Sequence, residues 1–510
     1  MEKHVMEEIT WGTEGLWIQF EKWAQLDGKA VAVYDGDYPI QRRELSKRAS
    51  AVAEQLADGG VGSGKRVLLD AYATVDTVVV GLAVSKLGAV ICPLSPKLGD
   101  NERQTVINYL APAVVIRRTA GEGAVRLAAT EAPLNVQWRR ESAKEKSGDD
   151  AKCPVLIGFT SGTTGVPKAV PHAASSLNYT AQVTSYIAGL HPGEPIIGIS
   201  PLSSAPGWAF YVHMSLTMGS PLVLIGDWDP YRVLELMEKH QVAWGMCVPT
   251  HLHMMIELAR NDEWKGHITS MRALAVGGSP ISEDMIINAQ KYLGIQVLRM
   301  YGMSECLGHA SARLTDPREL RRSYDGVPYP GTHLEAYDSD GQMLPRGQVG
   351  EAGVRGPSLF LGYLSGLGGD QNSFTPDGSY LTGDLIVRNK QGYLKVVGRV
   401  KDQIIRGGLN IDAAEVEVAL ASHPAVEEAA LIGWPDERLG ERLCAVVVPR
   451  QSQAPTLEKL CEHVQELGLA KYKSPEFLVL VSDIPKTEVG KIDKKKVRKL
   501  AEQELAPAND

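Results

Sequence analysis

Residues 159–168 read Phe159-Thr160-Ser161-Gly162-Thr163-Thr164-Gly165-Val166-Pro167-Lys168, and they follow an apolar run, 154–159, that is typical of a buried strand. Glycine lets backbone N–H groups approach an anion closely, hydroxyl groups donate further hydrogen bonds, and lysine adds a mobile positive charge. The combination indicates a loop that binds polyphosphate. The alternative is an ordinary turn between two strands.

The loop differs from the common phosphate loop, in which a lysine directly follows the second glycine and precedes a serine or threonine. Here Lys168 is followed by Ala169, and the hydroxyl residues come first. The stretch instead resembles the phosphate loop of the adenylate-forming superfamily, which comprises acyl-CoA synthetases, carrier-protein adenylation domains and beetle luciferases. The resemblance implies that the ATP phosphates are bound by Thr160, Ser161, Gly162, Thr163, Thr164, Gly165 and Lys168.

Composition limits the class of protein. The chain has 510 residues, of which 44% are hydrophobic, and a net charge of -8. These values are ordinary for a soluble protein of more than one domain, and the negative charge argues against a nucleic-acid binder. Six scattered cysteines without a C-x-x-C pair indicate reduced thiols and a cytoplasmic location. No apolar run is long enough to cross a membrane.

Apolar strand-like and helix-like segments alternate along the first half of the chain, as in the helix 45–56, the strand 67–70 and the helix 78–87. This order predicts an α/β fold with a parallel sheet. By resemblance, the fold is a large N-terminal domain of stacked α/β sheets with a β-barrel-like segment, followed by a small mobile α/β lid. The expected domains are 1–398 and 403–510, joined by a hinge at 399–402.

A second motif is Val297-Leu298-Arg299-Met300-Tyr301-Gly302-Met303-Ser304-Glu305. An aromatic ring can stack on a base, and a carboxylate can bind magnesium. The family resemblance implies that Tyr301 and Gly302 contact adenine, that Ser304 contacts phosphate, and that Glu305 is the metal ligand. The Gly-rich turn after the strand 274–276 is expected to pass along the adenine, and it contains Gly277, Gly278 and Ser279.

Later motifs complete the expected nucleotide and thiol sites. An acidic residue at a strand end can accept both ribose hydroxyls, and the resemblance gives this role to Asp384. It also implies that Arg399 reaches the nucleotide and that Lys401 is the hinge pivot. The paired glycines Gly407 and Gly408 are expected to line the tunnel for coenzyme A. Lys491 is expected to be catalytic and to bridge the carboxylate and the α-phosphate.

The acyl pocket is expected around residues 201–208, where relatives carry an aromatic residue and often a histidine. Ser203 and Ser204 stand at these positions, which predicts a wider pocket; the alternative is that the serines cap a helix. The remaining expected pocket residues are Gly207, Trp208, Met300 and Met303.

The sequence therefore predicts an ATP- and Mg²⁺-dependent ligase that converts a carboxylic acid into an acyl-adenylate and then into a coenzyme A thioester. The sequence of residues 299–305 most resembles the corresponding motif of free-standing ligases of alicyclic or other bulky acids. No acidic residue lies within 201–210 to hold an α-amine, so an amino acid is not the expected substrate. The alternatives are a stand-alone adenylation enzyme that loads a carrier protein, a luciferase-like oxidase and a non-catalytic protein of the same fold. A homodimer is left open.

Overall fold

The computed structural model describes residues 12–118, 125–127, 130, 134–138, 153–160, 168–364, 374–407, 409–450, 454–487 and 492–505. The chain forms two compact units. Unit 1 contains residues 1–333 and 354–374, and unit 2 contains residues 334–353 and 375–510.

A seven-stranded sheet in unit 1 carries the predicted phosphate loop. Its strands are β3 (Arg66–Asp70), β4 (Val90–Leu94), β5 (Val114–Arg117), β6 (Val125–Arg126), β7 (Asn135–Trp138), β8 (Pro154–Thr160) and β9 (Lys168–Ala173). Their order is β6-β7-β5-β3-β4-β8-β9. The central strands β5, β3, β4 and β8 are parallel, whereas β9 is antiparallel to β8. The last strand is thus a hairpin partner added to a parallel sheet.

A nine-stranded sheet in unit 1 carries the second motif. Its strands are β1 (Val31–Asp35), β2 (Tyr38–Gln41), β10 (Ile196–Gly198), β11 (Leu222–Leu224), β12 (Trp244–Cys247), β13 (Ala273–Gly277), β14 (Val297–Met303), β15 (Cys306–Ser311) and β16 (Val327–Pro328). Their order is β16-β15-β14-β13-β12-β10-β11-β1-β2. The strands from β14 to β1 are parallel, and β15 returns antiparallel to β14.

Most helices of unit 1 bury an apolar face and connect these strands, whereas the short helix Arg318–Ser323 buries none of its residues. They are α1 (Leu16–Leu26), α2 (Arg42–Asp58), α3 (Val75–Lys86), α4 (Asp100–Leu110), α5 (Ala174–Ala188), α6 (Ala205–Gly207), α7 (Met214–Met218), α8 (Pro230–Lys239), α9 (Pro249–Arg260), α10 (Glu283–Asn288) and α11 (Arg318–Ser323). Two π-helical turns, Trp208–His213 and Ala289–Leu293, extend α6 and α10.

The main hydrophobic core lies between the two sheets of unit 1. Val67 and Leu69 of β3 and Ile196 of β10 belong to one buried cluster together with residues of α2, α3 and α5. Leu68, on the opposite face of β3, belongs to a separate cluster with α4. Ile197, on the opposite face of β10, belongs to a third cluster with α8 and α9. Successive strand residues point to opposite faces, and both faces of each sheet are buried under helices, which accounts for the apolar strand sequences.

Unit 2 contains two further sheets. The first has the order β17-β18-β19-β20, formed by β17 (His333–Tyr337), β18 (Val349–Arg355), β19 (Tyr380–Arg388) and β20 (Leu394–Arg399). The second is formed by β21 (Gln403–Arg406), β22 (Leu409–Asp412), β23 (Val426–Asp436), β24 (Gly440–Pro449) and β25 (Phe477–Leu480). Its helices are α12 (Ala413–Ala421), α13 (Leu457–Glu466) and α14 (Lys494–Leu505), and short 3-10 turns occupy Val400–Asp402 and Lys471–Lys473.

The predicted fold class is confirmed, since the chain is a mixed α/β protein with a large N-terminal and a small C-terminal part. The segment expected to be barrel-like contains the four-stranded sheet β17-β18-β19-β20. The predicted boundary at 399–402 coincides with the 3-10 turn after β20 and remains a prediction. None of the helices in the described parts of the chain has the length and apolar content that crossing a bilayer requires.

Candidate active site

The predicted phosphate loop connects two antiparallel strands. Thr160 ends β8 and pairs with Lys168, the first residue of β9. Ser161, Gly162, Thr163, Thr164 and Gly165 lie outside the described residues. The hairpin therefore brings Thr160 and Lys168 face to face at the carboxyl end of β8, the end of a parallel strand at which ligands of open α/β sheets bind.

The second motif also ends in a hairpin turn. Met303 at the end of β14 pairs with Cys306 at the start of β15, so Ser304 and Glu305 form the turn. The Glu305 side chain is buried, with 5% of the residue exposed. Tyr301 is buried as well, and its ring forms a T-shaped contact with the imidazole of His309, with 4.6 Å between ring centroids. Burial lowers the pKa of His309 to about 3, so this imidazole is neutral.

The structure brings the two motifs together through His172 on β9. Its Nε2 donates a hydrogen bond of 2.7 Å to the carbonyl oxygen of Ser304. Burial lowers the pKa of His172 to about 4 in spite of that bond, so the neutral tautomer with a proton on Nε2 is the form that fits. The strand after the phosphate loop thus fixes the backbone of the Ser304–Glu305 turn.

A third segment, residues 359–364, contacts both hairpins. Leu361 N–H donates to the carbonyl of Pro171 at 2.9 Å, and Phe360 N–H donates to the carbonyl of Glu305 at 2.8 Å. The hydroxyl of Tyr363 donates to Oε1 of Glu305 at 2.6 Å, and the ammonium of Lys168 lies 4.9 Å from the centre of the Tyr363 ring. Sequence reasoning did not single out His172, Phe360 or Tyr363.

The predicted adenine turn lies beside the second motif. Gly277 ends β13 and pairs with Met300 on β14. A Cβ atom on Gly277 would lie 2.2 Å from the Met300 carbonyl oxygen, which only glycine permits. Gly278 has a φ of +87° in the left-handed region, and both Gly278 and Ser279 are exposed. The turn therefore follows the carboxyl end of a parallel strand, next to Tyr301 and Gly302.

The expected pocket serines lie at the start of α6. Ser204 is the N-cap of this helix, and its Oγ accepts from the N–H of Gly207 at 3.0 Å and donates to the carbonyl of Pro201 at 2.9 Å. The capping alternative therefore describes the Ser204 side chain. Gly207 itself approaches the Pro201 carbonyl so closely that a Cβ would lie 2.1 Å from the oxygen. Ser203 is half-buried.

The remaining pocket residues differ in burial. Trp208 is 2% exposed and packs over Gly81 of α3, where a Cβ atom would lie 2.5 Å from the indole. Met300 belongs to the main core, and Met303 is half-buried. Ala205 packs on Gly158 of β8, so the start of α6 lies against the strand that leads to the phosphate loop.

In unit 2, two of the predicted nucleotide residues contact each other. Nε of Arg399 lies 2.8 Å from Oδ1 of Asp384, which is buried. Lys401 lines a cavity of about 440 Å³ together with basic residues at the start of α14, including Lys494 and Lys495. Gly407 has a φ of +57°. Gly408 and Lys491 lie outside the described residues.

The donors present fit a magnesium ion that binds together with a phosphate substrate. Mg²⁺ is usually held by one or two carboxylates plus substrate phosphates, with water completing its octahedron. Glu305 supplies one buried carboxylate held by a hydrogen bond, in the same cluster as Lys168. Within the described ranges, no group of three or more His, Cys, Asp or Glu side chains would bind a metal by itself.

Comparison with known proteins identifies the family of the chain. Residues 20–364 match the family described as AMP-binding enzyme, and residues 415–491 match the AMP-binding enzyme C-terminal domain. The chain therefore belongs to the AMP-binding, adenylate-forming enzyme family, as the motifs predicted.

Individual relatives cover almost the whole chain. Pyochelin synthase PchD of Pseudomonas aeruginosa is 30% identical over 94% of this chain and 90% of its own length. The medium-chain fatty-acid–CoA ligase of Escherichia coli is 28% identical over 96% of this chain and 91% of its own. The ATP-bound structure of MatB from Rhodopseudomonas palustris has a TM-score of 0.82 at 25% identity and covers 95% of this chain and 98% of its own.

Proposed function

We propose that the protein is an AMP-forming acid–thiol ligase that activates a carboxylic acid with ATP and transfers the acyl group to coenzyme A. The observation that carries the proposal is the buried Glu305 carboxylate on a turn that is hydrogen-bonded to the strand following the phosphate loop. Family membership supports ATP as a substrate, and a relative named as a CoA ligase supports the thiol acceptor.

In the first half-reaction, the substrate carboxylate attacks the α-phosphorus of ATP, and pyrophosphate leaves. No side-chain base is needed because the nucleophile is already an anion. The difficulty is that two anions must meet. Glu305 is the residue that would hold Mg²⁺, and the ion would neutralise charge on the phosphates when bound. Thr160, Lys168 and Ser304 donate to phosphate oxygens, and Lys491 neutralises the reacting pair. Preorganised donors of this kind are commonly worth a factor of about 100 to 1,000 each.

In the second half-reaction, the thiol sulfur attacks the acyl carbon and its proton passes to water, the bond to the adenylate oxygen breaks, and AMP leaves. Lys491 is no longer needed, and a path for the thiol must open. Rotation of the residues after Lys401 would accomplish both changes, with Gly407 and Gly408 lining the path. Replacing Lys401 with proline would then slow thioester formation while adenylation continues. Equal loss of both half-reactions would contradict the rotation.

For the acid, we propose a bulky apolar molecule, cyclic or terpenoid in character. The support is the small Ser203 and Ser204 where relatives have larger side chains, and methionines at 300 and 303 that suit an irregular apolar guest. The capping bonds of Ser204 are compatible with this proposal, since a capping serine leaves as much space as any other.

A second candidate function is a stand-alone adenylation enzyme that loads a carrier protein. It is favoured by the relative named pyochelin synthase, which is as similar to this chain as the relative named CoA ligase. The two candidates share the first half-reaction and differ only in the thiol.

Mass spectrometry of reactions with ATP, Mg²⁺ and coenzyme A tests these proposals across short, aromatic, long linear, alicyclic and polycyclic acids. Acyl-CoA from the bulky acids alone supports the ligase and its pocket. Acyl-adenylate without acyl-CoA identifies the carrier-protein candidate. Lys491→Ala is the control, because it should abolish pyrophosphate release while leaving ATP bound. An absence of acyl-adenylate with every acid would contradict the first half-reaction.

A further inference from the structure

The turn that contains Glu305 is held by three hydrogen bonds from two other segments. His172 donates to the Ser304 carbonyl, Phe360 N–H donates to the Glu305 carbonyl, and the Tyr363 hydroxyl donates to the Glu305 carboxylate. Two of these bonds fix the backbone, and only the bond from Tyr363 acts on the functional group itself.

Tyr363 is held independently of that bond. Leu361, two residues earlier, is hydrogen-bonded to Pro171 of β9, and the rings of Tyr363 and Phe360 form a T-shaped contact with 4.9 Å between ring centroids and an interplanar angle of 72°. The phenol oxygen is therefore placed by its own backbone and ring contacts. A donor placed in this way orients the carboxylate instead of following it.

The same ring also contacts Lys168. The ammonium lies 4.9 Å from the ring centroid, within the distance at which a cation is attracted to an aromatic face. One side chain thus contacts both the expected metal ligand, through its hydroxyl, and the expected phosphate cation, through its ring.

We propose that Tyr363 is a positioning residue for nucleotide binding: its hydroxyl orients the Glu305 carboxylate toward the metal, and its ring holds Lys168 toward the phosphates. The proposal rests on the role of Glu305 in the proposed function. Partners that hydrogen-bond a metal ligand fix its orientation, and their loss typically weakens metal affinity by about 10- to 100-fold.

The test replaces Tyr363 with phenylalanine, which removes the hydroxyl and keeps the ring near Lys168. Tyr186→Phe is the matched control, since Tyr186 is 67% exposed on α5. Binding of Mn²⁺ in the presence of a non-hydrolysable ATP analogue is measured by electron paramagnetic resonance, so that no acid substrate is required. Thermal melting of each variant reports whether the fold is retained.

Tyr363→Phe should weaken Mn²⁺ binding about 10- to 100-fold, while Tyr186→Phe matches the wild type. In a Glu305→Ala background, Tyr363→Phe should have no further effect on Mn²⁺ binding, because the side chain that the hydroxyl orients is gone. Wild-type Mn²⁺ affinity in Tyr363→Phe would overturn the inference and leave the proposed function intact. Failure of the wild type to bind Mn²⁺ with the nucleotide would overturn both.

Should Tyr363→Phe melt early, 4-aminophenylalanine incorporated at position 363 decides the outcome. Its aryl amine offers an N–H donor where the phenol oxygen lies, and recovery of Mn²⁺ affinity relative to Tyr363→Leu supports orientation by hydrogen bonding. Equal loss in the aminophenylalanine and leucine variants would overturn the inference, since the residue would then act only through packing.

Discussion

Replacing Gly277 with alanine should separate β13 from β14 at the point where the nucleotide site is expected. The new Cβ atom would lie 2.2 Å from the Met300 carbonyl oxygen, whereas contacts under 3.0 Å are essentially never seen for real Cβ atoms. The two strands must therefore move apart by at least about 0.8 Å, and the obstacle is a backbone atom that cannot rotate away. Strands in a sheet lie about 4.8 Å apart, so the displacement disrupts the last pairing of the ladder.

The displacement acts directly on Tyr301, which follows Met300 and is expected to stack on adenine. A misplacement of about 1 Å in a site can cost about 100-fold in function. We expect ATP affinity, measured by isothermal titration with Mg²⁺ and without any acid, to fall about 10- to 100-fold.

Gly245→Ala provides the matched control one strand away, in β12. Its Cβ atom would lie 2.8 Å from a methyl group of Ile197, so the strain falls on a side chain and not on the backbone that precedes Tyr301. Both variants should melt below the wild type, but only Gly277→Ala should lose ATP affinity. Wild-type ATP binding by Gly277→Ala, or equal weakening in both variants, would refute the reasoning.

Three further predictions concern the pocket and unit 2. Ser204→Ala should lower the free energy of unfolding by about 1 kcal/mol through loss of the helix cap, and it should leave the preference among acids unchanged. Ser204→Phe should lose the cap as well and should also disfavour bulky acids relative to linear ones. Equal shifts of acid preference in the two variants would contradict the wide pocket. Burial raises the pKa of Asp412 to about 6, so the folded state keeps a proton that the unfolded chain loses, and this group's contribution to stability should fall by up to about 3 kcal/mol as pH rises from about 4 to 6. Asp412→Asn keeps the helix cap and should remove that pH-dependent fall in the free energy of unfolding, measured by urea denaturation. If the variant kept the pH profile of the wild type, Asp412 would not be the group responsible. Gly398→Ala would place a Cβ atom 2.4 Å from Oδ1 of Asp412 and should lower the free energy of unfolding of unit 2, measured by urea denaturation, by about 1–3 kcal/mol. An unaltered free energy of unfolding would contradict the contact.

Much of the α/β pattern could be predicted because it depends on local runs of apolar residues. The helix expected at 45–56 is Arg42–Asp58, and the strand expected at 67–70 is Arg66–Asp70. In both elements, the spacing of the apolar core residues predicts whether the segment is a helix or a strand. The polar residues at the ends predict the exact first and last residues less well.

Strand β9 could not be predicted in the same way. Its sequence, Lys168–Ala173, contains Pro171, which cannot donate to a ladder and disfavours a strand assignment. The strand exists because β8 is available as a partner and Pro171 is tolerated at the sheet's outer strand. Its position beside β8 is a tertiary property that no local pattern contains.

For the candidate site, the sequence supplied the residues expected to contact ATP but not those that hold them. Ser304 and Glu305 belong to a recognisable motif, whereas His172 and Tyr363 are single residues 132 and 58 positions away from their partners. Aromatic and imidazole residues in isolation predict nothing, because their role depends on which backbone folds beside them. The helix-capping role of Ser204 could be predicted only as one of two alternatives, because a capping serine and a pocket-lining serine cannot be distinguished by sequence.

The division of the chain into units has a consequence for synthesis on the ribosome. Residues 334–353 belong to unit 2, and residues 354–374, which include Tyr363, return to unit 1. Glu305 is translated 58 residues before Tyr363, an interval of roughly 3 to 12 s at 5–20 residues per second. During that time the carboxylate lacks the hydrogen bond that accompanies its burial in the finished protein. The nascent chain must therefore complete this part of unit 1 after the first two strands of unit 2, β17 and β18, have already been made.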